Sequence, residues 1–259
     1  MDIAWFLLGI AVMAGASVAL ARWAGVGLGW EPVIALLRAA LQLAAIAAIL
    51  SGVLAVPWLV VAFLALMLTT ASWTAGRRLA GIPHGRRYAL IGVISGAAAG
   101  LIPAFAMGLV EIDPRQIIAL GGIVIGNAMT ASTLAGRNFR TTAIARGGEV
   151  EAWLGLGAYP SRAYRDIGTQ AVRESLLPTM DQTKSTGLVT LPGAFVGALF
   201  GGANPLEAAQ FQLVVLAAIM LSMLTTATIV TRLAGRTHYV MTNDQAPVEL
   251  PRAHNAVPQ

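Results

Sequence analysis

Apolar runs close to 20 residues long recur along most of this 259-residue chain, and they constrain its fold more than any other feature. An α-helix of about 20 apolar residues is long enough to cross the hydrocarbon core of a bilayer. Since 57% of the residues are hydrophobic and 11% are charged, a soluble domain of this length could not bury them all. The sequence therefore predicts an all-α, polytopic membrane bundle.

About seven transmembrane helices are predicted from these runs, over residues 3–20, 33–51, 58–74, 88–110, 116–134, 186–200 and 211–230. The sixth is the weakest, because it is short and Pro192-Gly193 interrupts it. Together the helices make up a predicted transmembrane domain over residues 1–236. The polar residues 237–259 follow as a cytosolic tail that we expect to be disordered.

The distribution of arginine predicts the orientation of the chain. With seven spans, the basic residues of the loops fall on one side of the membrane, apart from Arg115. Acidic residues prevail on the other side, at Glu111, Asp113 and Glu207. Because cytosolic loops carry the excess of arginine and lysine, we expect the N-terminus outside, the C-terminus in the cytosol and residues 137–184 in the cytosol.

A few polar side chains are predicted to lie at membrane depth. Arg38 and Gln42 are four residues apart and therefore share one helix face, although Arg38 could reach the cytosolic headgroups. Gln42 needs a polar partner or a watery cavity, and so does Asn127. We hypothesise that these residues line a substrate pathway together with Met129 and Thr130. Arg38 at its mouth would favour an anionic or anion-complexed substrate.

Residues 149–178 form a polar segment between apolar runs. Glu149 and Glu151 place negative charge at the start of a predicted helix, where the helix dipole favours it. Gly157 and Pro160 mark a break, after which a second amphipathic helix begins. Short amphipathic helices joined by a tight turn suit docking into a groove of a soluble protein. The alternative is a helix that lies on the membrane surface.

Several kinds of chemistry lack the residues that they need. No phosphate-binding loop of the form Gly-x-x-x-x-Gly-Lys-Ser/Thr occurs, so any ATP-driven work needs a partner chain. The chain has no cysteine, its three histidines do not share a helix face, and no carboxylate is predicted within a span. The sequence therefore predicts no enzyme activity, no cofactor and no nucleic-acid partner, and the ligands of any metal remain unknown.

One short motif resembles a known coupling loop. Glu151-Ala152, with Gly157 and then Ile167 after nine intervening residues, resembles the cytoplasmic loop through which ABC transporter permeases contact their ATPase. The chain departs from that pattern at Trp153, which replaces an alanine, and at Leu177-Pro178, which come late. By this resemblance the coupling residues are those of the loop and its turn: Glu151, Ala152, Gly157, Ala158, Pro160 and Arg162.

Longer motifs are similar to the FetB-type permeases, a family that includes a bacterial iron-export subunit and plant aluminium-tolerance permeases. They lie at residues 125–131, 151–158, 187–193 and 201–205. The resemblance implies a homodimeric, multi-pass permease of the inner (plasma) membrane that works with a separate ATP-binding cassette ATPase and exports iron or another metal. Transport of a nucleotide sugar or another anionic solute is the alternative. A channel or secondary transporter without an ATPase, and a scaffold or receptor that transports nothing, also stay open.

Overall fold

The computed structural model describes residues 3–237, 239–240 and 248–249, and these residues are almost entirely helical. The helices are α1 Ile3–Trp23, α2 Glu31–Ala55, α3 Pro57–Arg78, α4 Gly85–Ala106, α5 Pro114–Ala145, α6 Gly147–Gly155, α7 Pro160–Ala163, α8 Arg165–Ser185, α9 Gly193–Phe200 and α10 Pro205–Ala234. Two short strands, β1 Tyr239–Val240 and β2 Val248–Glu249, pair antiparallel in the tail. The predicted all-α membrane fold is confirmed, and the other tail residues predicted to be disordered lie outside the described ranges.

Six of these helices, α1 to α5 and α10, are long and apolar enough to cross a membrane. The sixth predicted span is wrong as a continuous helix, because residues 186–192 are not helical and α9 has only 8 residues. Eight residues of α-helix extend about 12 Å, which is less than half of a bilayer core. Gly187 has φ +91°, a left-handed conformation that ends α8, and Pro192 then precedes α9. The total of seven spans is therefore not confirmed.

The chain divides into two compact units, Met1–Leu59 and Val60–Gln259. In the first unit α1 and α2 pack against each other. The guanidinium of Arg22, at the end of α1, lies 5.3 Å from the ring centroid of Trp30, just before α2. This cation–π contact ties together the two ends that face each other across the connecting turn.

The core of the second unit is the contact between α4 and α10. Glycines on α4 lie directly against α10, so that a methyl group at Gly92 would stand 2.6 Å from Val230 Cγ2 and one at Gly100 would stand 2.7 Å from the carbonyl oxygen of Ala218. Residues early in α4 thus meet residues late in α10. The two helices are antiparallel, and glycine lets their backbones approach closely, as is common inside membranes.

A hydrogen bond reinforces this contact. The buried hydroxyl of Thr226 donates to the carbonyl oxygen of Gly92 over 3.1 Å. The stripe Gly96-x-x-x-Gly100, which is visible in the sequence, therefore packs as such stripes do in membrane bundles. Other glycines have the same spacing, but a methyl group placed at Gly126 or Gly193 would meet no atom of the described residues within 4 Å.

Helix α5 runs antiparallel to α4 and gives the second unit two distinct ends. Its Val124 lies against Gly100, and its Gly136 lies against Leu79, just before α4 begins. The end of the unit near Leu79 carries most of the arginines, and we call it the basic end: Arg77, Arg78, Arg86, Arg87, Arg137, Arg140 and Arg232. The opposite, acidic end carries Glu111, Asp113 and Glu207 together with Arg115. The residues named here lie at opposite ends of the second unit, while the predicted sides of the membrane and the assignment of the basic end to the cytosol stay predictions.

Both α5 and α10 begin at the acidic end, and local sequence explains why. Asp113 caps α5 by accepting the backbone N–H of Arg115 over 2.9 Å, and Pro114 follows at the first helical position. Asn204 and Glu207 form a reciprocal capping box at the start of α10. These caps satisfy amide groups that would otherwise be left without partners.

Replacing Gly96 with alanine should destabilise the second unit, because the new methyl group would lie 2.6 Å from the carbonyl oxygen of Ser222 and also against the hydroxyl of Thr226. Since a backbone oxygen cannot rotate away, we expect a loss of about 1–3 kcal/mol in the free energy of unfolding, the usual cost of overpacking. Gly126→Ala is the matched control, because its methyl group would meet nothing within 4 Å. Equal denaturation midpoints of the two variants in detergent micelles would contradict this account.

Candidate functional site

Helices α6 and α7 lie at the basic end. All six residues of the predicted coupling loop lie in these two helices or in the turn between them. Helix α6 follows directly after α5, which ends at Ala145. The guanidinium of Arg146 binds both carboxylate oxygens of Glu149, with distances of 2.8 and 2.6 Å. This bidentate pair lies at the start of α6, where the helix dipole also stabilises the negative charge of Glu149.

The turn after α6 is a Schellman motif. The N–H of Gly157 donates to the carbonyl oxygen of Leu154 over 2.9 Å, and the N–H of Ala158 donates to that of Trp153 over 3.0 Å. Gly157 has φ +83°, so glycine is required here by backbone conformation. A methyl group at Gly157 would meet nothing within 4 Å. The residue at position 157 is therefore restricted by φ and not by a contact with the first side-chain carbon.

Trp153 has a structural role in this turn. The guanidinium carbon of Arg162 lies 5.5 Å from the ring centroid of Trp153, which is a cation–π distance. Pro160 occupies the first position of α7 and holds Arg162 in the turn above that ring. The residue that departs from the coupling-loop pattern thus joins the two short helices.

Two buried side chains fasten this pair of helices to the bundle. Val150 of α6 is 1% exposed. The ring of Tyr164, which follows α7, packs against Phe139 of α5 with 5.6 Å between the ring centroids. Tyr164 and Phe139 are both nearly fully buried, and Val150 belongs to the same core cluster, so this segment is joined to α5 through buried side chains.

The tip of the turn is exposed and apolar, a feature that the sequence alone did not single out. Leu156 is 83% exposed and Tyr159 is 81% exposed. Glu151 and Ala152 are exposed beside them on α6. We call Leu156, Tyr159, Glu151 and Ala152 the coupling tip. Large apolar side chains at a polar end of a protein are typical of contact sites. The sequence pattern that could have indicated this site is the placement of Leu156 and Tyr159 on either side of Gly157.

The predicted pathway residues on α5 are largely satisfied within their own helix. The side-chain amide of Asn127 donates to the carbonyl oxygen of Ile123 over 2.9 Å. The hydroxyl of Thr130 donates to that of Gly126 over 3.1 Å. Asn127 thus satisfies one donor within its own helix, while its carbonyl oxygen accepts no hydrogen bond from the described residues. Asn127 and Met129 are half-buried, and Thr130 is exposed.

The other two predicted pathway residues, Arg38 and Gln42, belong to the first unit. Both are exposed side chains on α2, one helical turn apart. Neither makes a hydrogen bond or an ion pair with any residue in the described part of the chain. Their shared face agrees with the sequence, but a cavity that joins them to Asn127 stays a prediction.

A basic cleft of about 250 Å³ opens at the basic end. Arg78, Arg137 and Arg140 line it together with Thr141, and none of the three arginines forms an ion pair with the described residues. Within residues 3–237 and the two short strands, no group of three His, Asp or Glu side chains could hold a metal ion. The end that carries the coupling tip is thus strongly positive.

Comparison with known proteins gives a match over nearly the whole chain. The model of the family described as "Uncharacterised protein family (UPF0014)" matches residues 4–239. The rice protein "UPF0014 membrane protein STAR2" is 35% identical over 207 residues, which cover 79% of this chain and 72% of the rice protein. No solved structure matches the chain.

Two further relatives carry names that refer to metals. "Probable iron export permease protein FetB" of Escherichia coli K12 is 33% identical over 145 residues, 56% of each chain. "Protein ALUMINUM SENSITIVE 3" of Arabidopsis thaliana is 35% identical over 159 residues, 61% of this chain and 58% of the plant protein.

Replacing Gly157 with alanine should loosen the coupling tip without any steric clash. A left-handed conformation costs a non-glycine residue about 1–2 kcal/mol, so the amide hydrogens of Gly157 and Ala158 should exchange roughly tenfold faster. Hydrogen exchange followed by mass spectrometry measures this directly. Gly155→Ala is the matched control, because a side chain there also meets open space but φ is not left-handed. Unchanged exchange in the alanine variant at position 157 would show that the Schellman turn is not needed.

Proposed function

The chain belongs to the UPF0014 family, and from this membership and the coupling tip we propose that it is the permease subunit of an ATP-binding cassette transporter. The ATPase is a separate chain, since the sequence holds no phosphate-binding loop. Two copies of the permease form a homodimer in the inner membrane, as the resemblance to FetB-type permeases implies. The substrate crosses between the helices, and ATP is hydrolysed on the partner.

The single observation that carries this proposal is the exposed apolar tip on firmly anchored helices. Leu156 and Tyr159 present large exposed apolar surfaces beside polar groups at the basic end, as protein contact sites do. Tyrosine is enriched among the residues that anchor protein interfaces. The tip therefore suits a groove on a soluble protein, which on this proposal is the ATPase.

The anchoring explains how a contact at the tip could act on the pathway. Movement of the ATPase would shift α6 and α7, and these helices are held to α5 by Val150 and by the stacked rings of Tyr164 and Phe139. Because α5 continues from Pro114 to Ala145, a shift at Phe139 is passed along the same helix toward Asn127. Packed helices change position as units, so the movement reaches membrane depth.

The substrate that we propose is iron or another metal ion that leaves the cell. Support comes from the relative named as a probable iron export permease and from the plant relative named for aluminium sensitivity. A nucleotide sugar or another anionic solute is the second candidate, favoured by Arg38, a cation without an ion-pair partner among the described residues. Transport without an ATPase is the third, and it leaves the coupling tip without a role.

Truncating the coupling tip should separate the permease from its ATPase. In the double variant Leu156→Ser with Tyr159→Ala, we expect the affinity to fall at least tenfold, since each interface anchor contributes about 1–2 kcal/mol or more. The neighbouring open reading frames are first read for a phosphate-loop ATPase, and the ATPase found there is the binding partner to use. Binding is measured with both proteins purified in detergent, and ATP hydrolysis is measured in proteoliposomes.

Ile112→Ser is the matched control for the tip. Ile112 is an equally exposed apolar residue, at 80%, but it lies at the acidic end. Its loss should change neither binding nor ATP hydrolysis. If the tip variant binds and stimulates the ATPase as well as the Ile112 variant does, the proposed coupling site is wrong.

The charge of Arg38 tests the class of substrate. If the solute carries negative charge near Arg38, then Arg38→Gln should lower its transport about tenfold, whereas Arg38→Lys should keep most of it. Transport of Fe²⁺ and of UDP-glucose is compared in proteoliposomes that contain the ATPase. Unchanged transport of both by Arg38→Gln combined with Gln42→Leu would show that this helix face does not line the pathway.

A further inference from the structure

The chain has to cross the second unit once between α5 and α10. Helix α5 ends at the basic end, whereas α10 begins at the acidic end. A methyl group at Gly168, early in α8, would lie 3.6 Å from Cβ of Thr231 and 3.9 Å from Cε2 of Phe139. The start of α8 is therefore level with the basic end of both neighbouring helices.

A contact between α9 and α10 locates the far end of this crossing. The N–H of Phe195, in α9, donates to the buried side chain of Gln212 over 3.1 Å. From Thr231 to Gln212, α10 extends about 28 Å at 1.5 Å per residue. The chain thus covers about 28 Å along α10 between Gly168 and Phe195, and α8 is the element that covers most of it. Leu176, near the middle of α8, is buried in one cluster with Ile219 and Met223.

Helix α8 is amphipathic. One face is buried against the bundle and carries Ile167, Gly168, Ala171, Ser175 and Leu176. The opposite face is exposed, and we call its residues the polar stripe: Asp166, Gln170, Arg173, Glu174, Asp181 and Lys184. Spacings of three, four and seven residues place these side chains in one row along the helix.

The polar stripe lies at the depth of the apolar spans. Arg137 of α5 and Arg232 of α10 mark the basic boundary, and both are next to the start of α8. From Gln170 onward, α8 therefore runs beside the apolar parts of α5 and α10. Each charged side chain turned to lipid there would cost about 2.5–3.5 kcal/mol of free energy. With four such charges, exposure of the stripe to lipid is prohibitive. Arg173 and Glu174 have no ion-pair partner among the described residues that could lower this cost.

The break after α8 also requires protein or water beside it, for an independent reason. Residues 186–192 are not helical, and the N–H groups of Leu188 and Leu191 have no hydrogen-bond partner among the described residues. Irregular backbone at membrane depth is tolerated where it is buried in protein or lines a water-filled cavity. Broken helices of this kind form the solute sites of many transporters.

We propose that the polar stripe of α8 and the break at 186–192 form one wall of the water-filled pathway through which the solute crosses the membrane. This inference rests on the proposed permease function. It assigns α8 and α9 together as the sixth crossing, in place of the span predicted over residues 186–200. It also confines the cytosolic coupling segment to residues 146–164, rather than the predicted 137–184.

The stripe indicates what kind of solute passes. Its charges are of both signs, and Lys184 pairs with Asp181 over 3.2 Å while both remain 70% exposed. Such a wall keeps water ordered beside it and offers both hydrogen-bond donors and acceptors. The pathway therefore takes a hydrated polar or charged solute and not a lipid or another apolar molecule.

Single cysteines test this directly, because the natural chain has none. Asp181→Cys and Glu174→Cys are placed on the stripe, and Leu221→Cys and Leu224→Cys are placed on the exposed apolar face of α10 at similar depths. The full chain in proteoliposomes is treated with a charged, membrane-impermeant methanethiosulfonate. Because only a hydrated thiol ionises and reacts, we expect the stripe cysteines to react at least about tenfold faster than the leucine-face cysteines.

Two results would overturn the proposal. Stripe cysteines that react only after denaturation in detergent would show that the stripe is covered by protein. If these cysteines then join as disulfide-linked dimers under oxidation, the cover is a second copy of the chain. Leucine-face cysteines that react as fast as the stripe would show that α8 does not lie at membrane depth.

Labelling needs neither the ATPase nor a known substrate, so it can fail separately from the proposed function. Rapid labelling without any ATPase-dependent transport would support the aqueous wall and count against the ATP-driven permease. Transport that persists while the stripe stays unreactive would keep the permease and reject this wall. With the ATPase present, Asp181→Asn should lower transport at least about tenfold if the stripe contacts the solute, and the Leu221 variant should transport normally.

Discussion

The close antiparallel contact of α4 with α10 is the constraint on which the rest of the second unit depends. Glycine at positions 92, 96 and 100 brings the two backbones together, and the hydroxyl of Thr226 bonds across to Gly92. In a bilayer there is no hydrophobic gain from packing apolar helices, so close contact and interhelical hydrogen bonds must supply the attraction. Once α10 is antiparallel to α4, its start lies at the acidic end. The segment between α5 and α10 then has to cross the whole unit, and the most polar long helix of the chain is the one that does so.

Helix α5 links the two proposed functional regions. At its basic end it contacts the proposed coupling segment through Phe139, and about 18 Å along the same helix it carries Asn127. Its other faces contact α4 and α8, so on this proposal a displacement at the coupling tip would reach the helices that flank the pathway. The Schellman turn at Gly157 and the contact of Arg162 with Trp153 give the tip a defined shape. A defined tip on a fixed anchor can pass on a movement that a flexible loop would absorb.

Much of this architecture could be predicted from local sequence patterns. Apolar runs predicted the six long helices, and the arginines predicted two ends of opposite charge. Gly157 and Pro160 predicted a turn between two short helices. The error came from reading one segment alone. Residues 186–200 were apolar enough for a span, but Gly187 ends α8 and Pro192 precedes α9, which leaves residues 186–192 outside any helix. Asn127 satisfies one donor on the carbonyl oxygen of Ile123, and the pathway expected around it stays a prediction.

By itself, then, the sequence determined what depends on composition and short spacing: a multi-pass helical bundle, its two charged ends, its helix caps and the left-handed turn at Gly157. These follow from the length of a bilayer span and from backbone preferences within a few residues. Only the tertiary structure decided what depends on neighbours in space. It showed which glycines meet another backbone, that Leu156 and Tyr159 are exposed together, and that α8 runs beside α10 with its polar face turned away from the bundle. The composition of α8 is that of a surface helix, and only the direction of α10 brings it alongside the apolar spans.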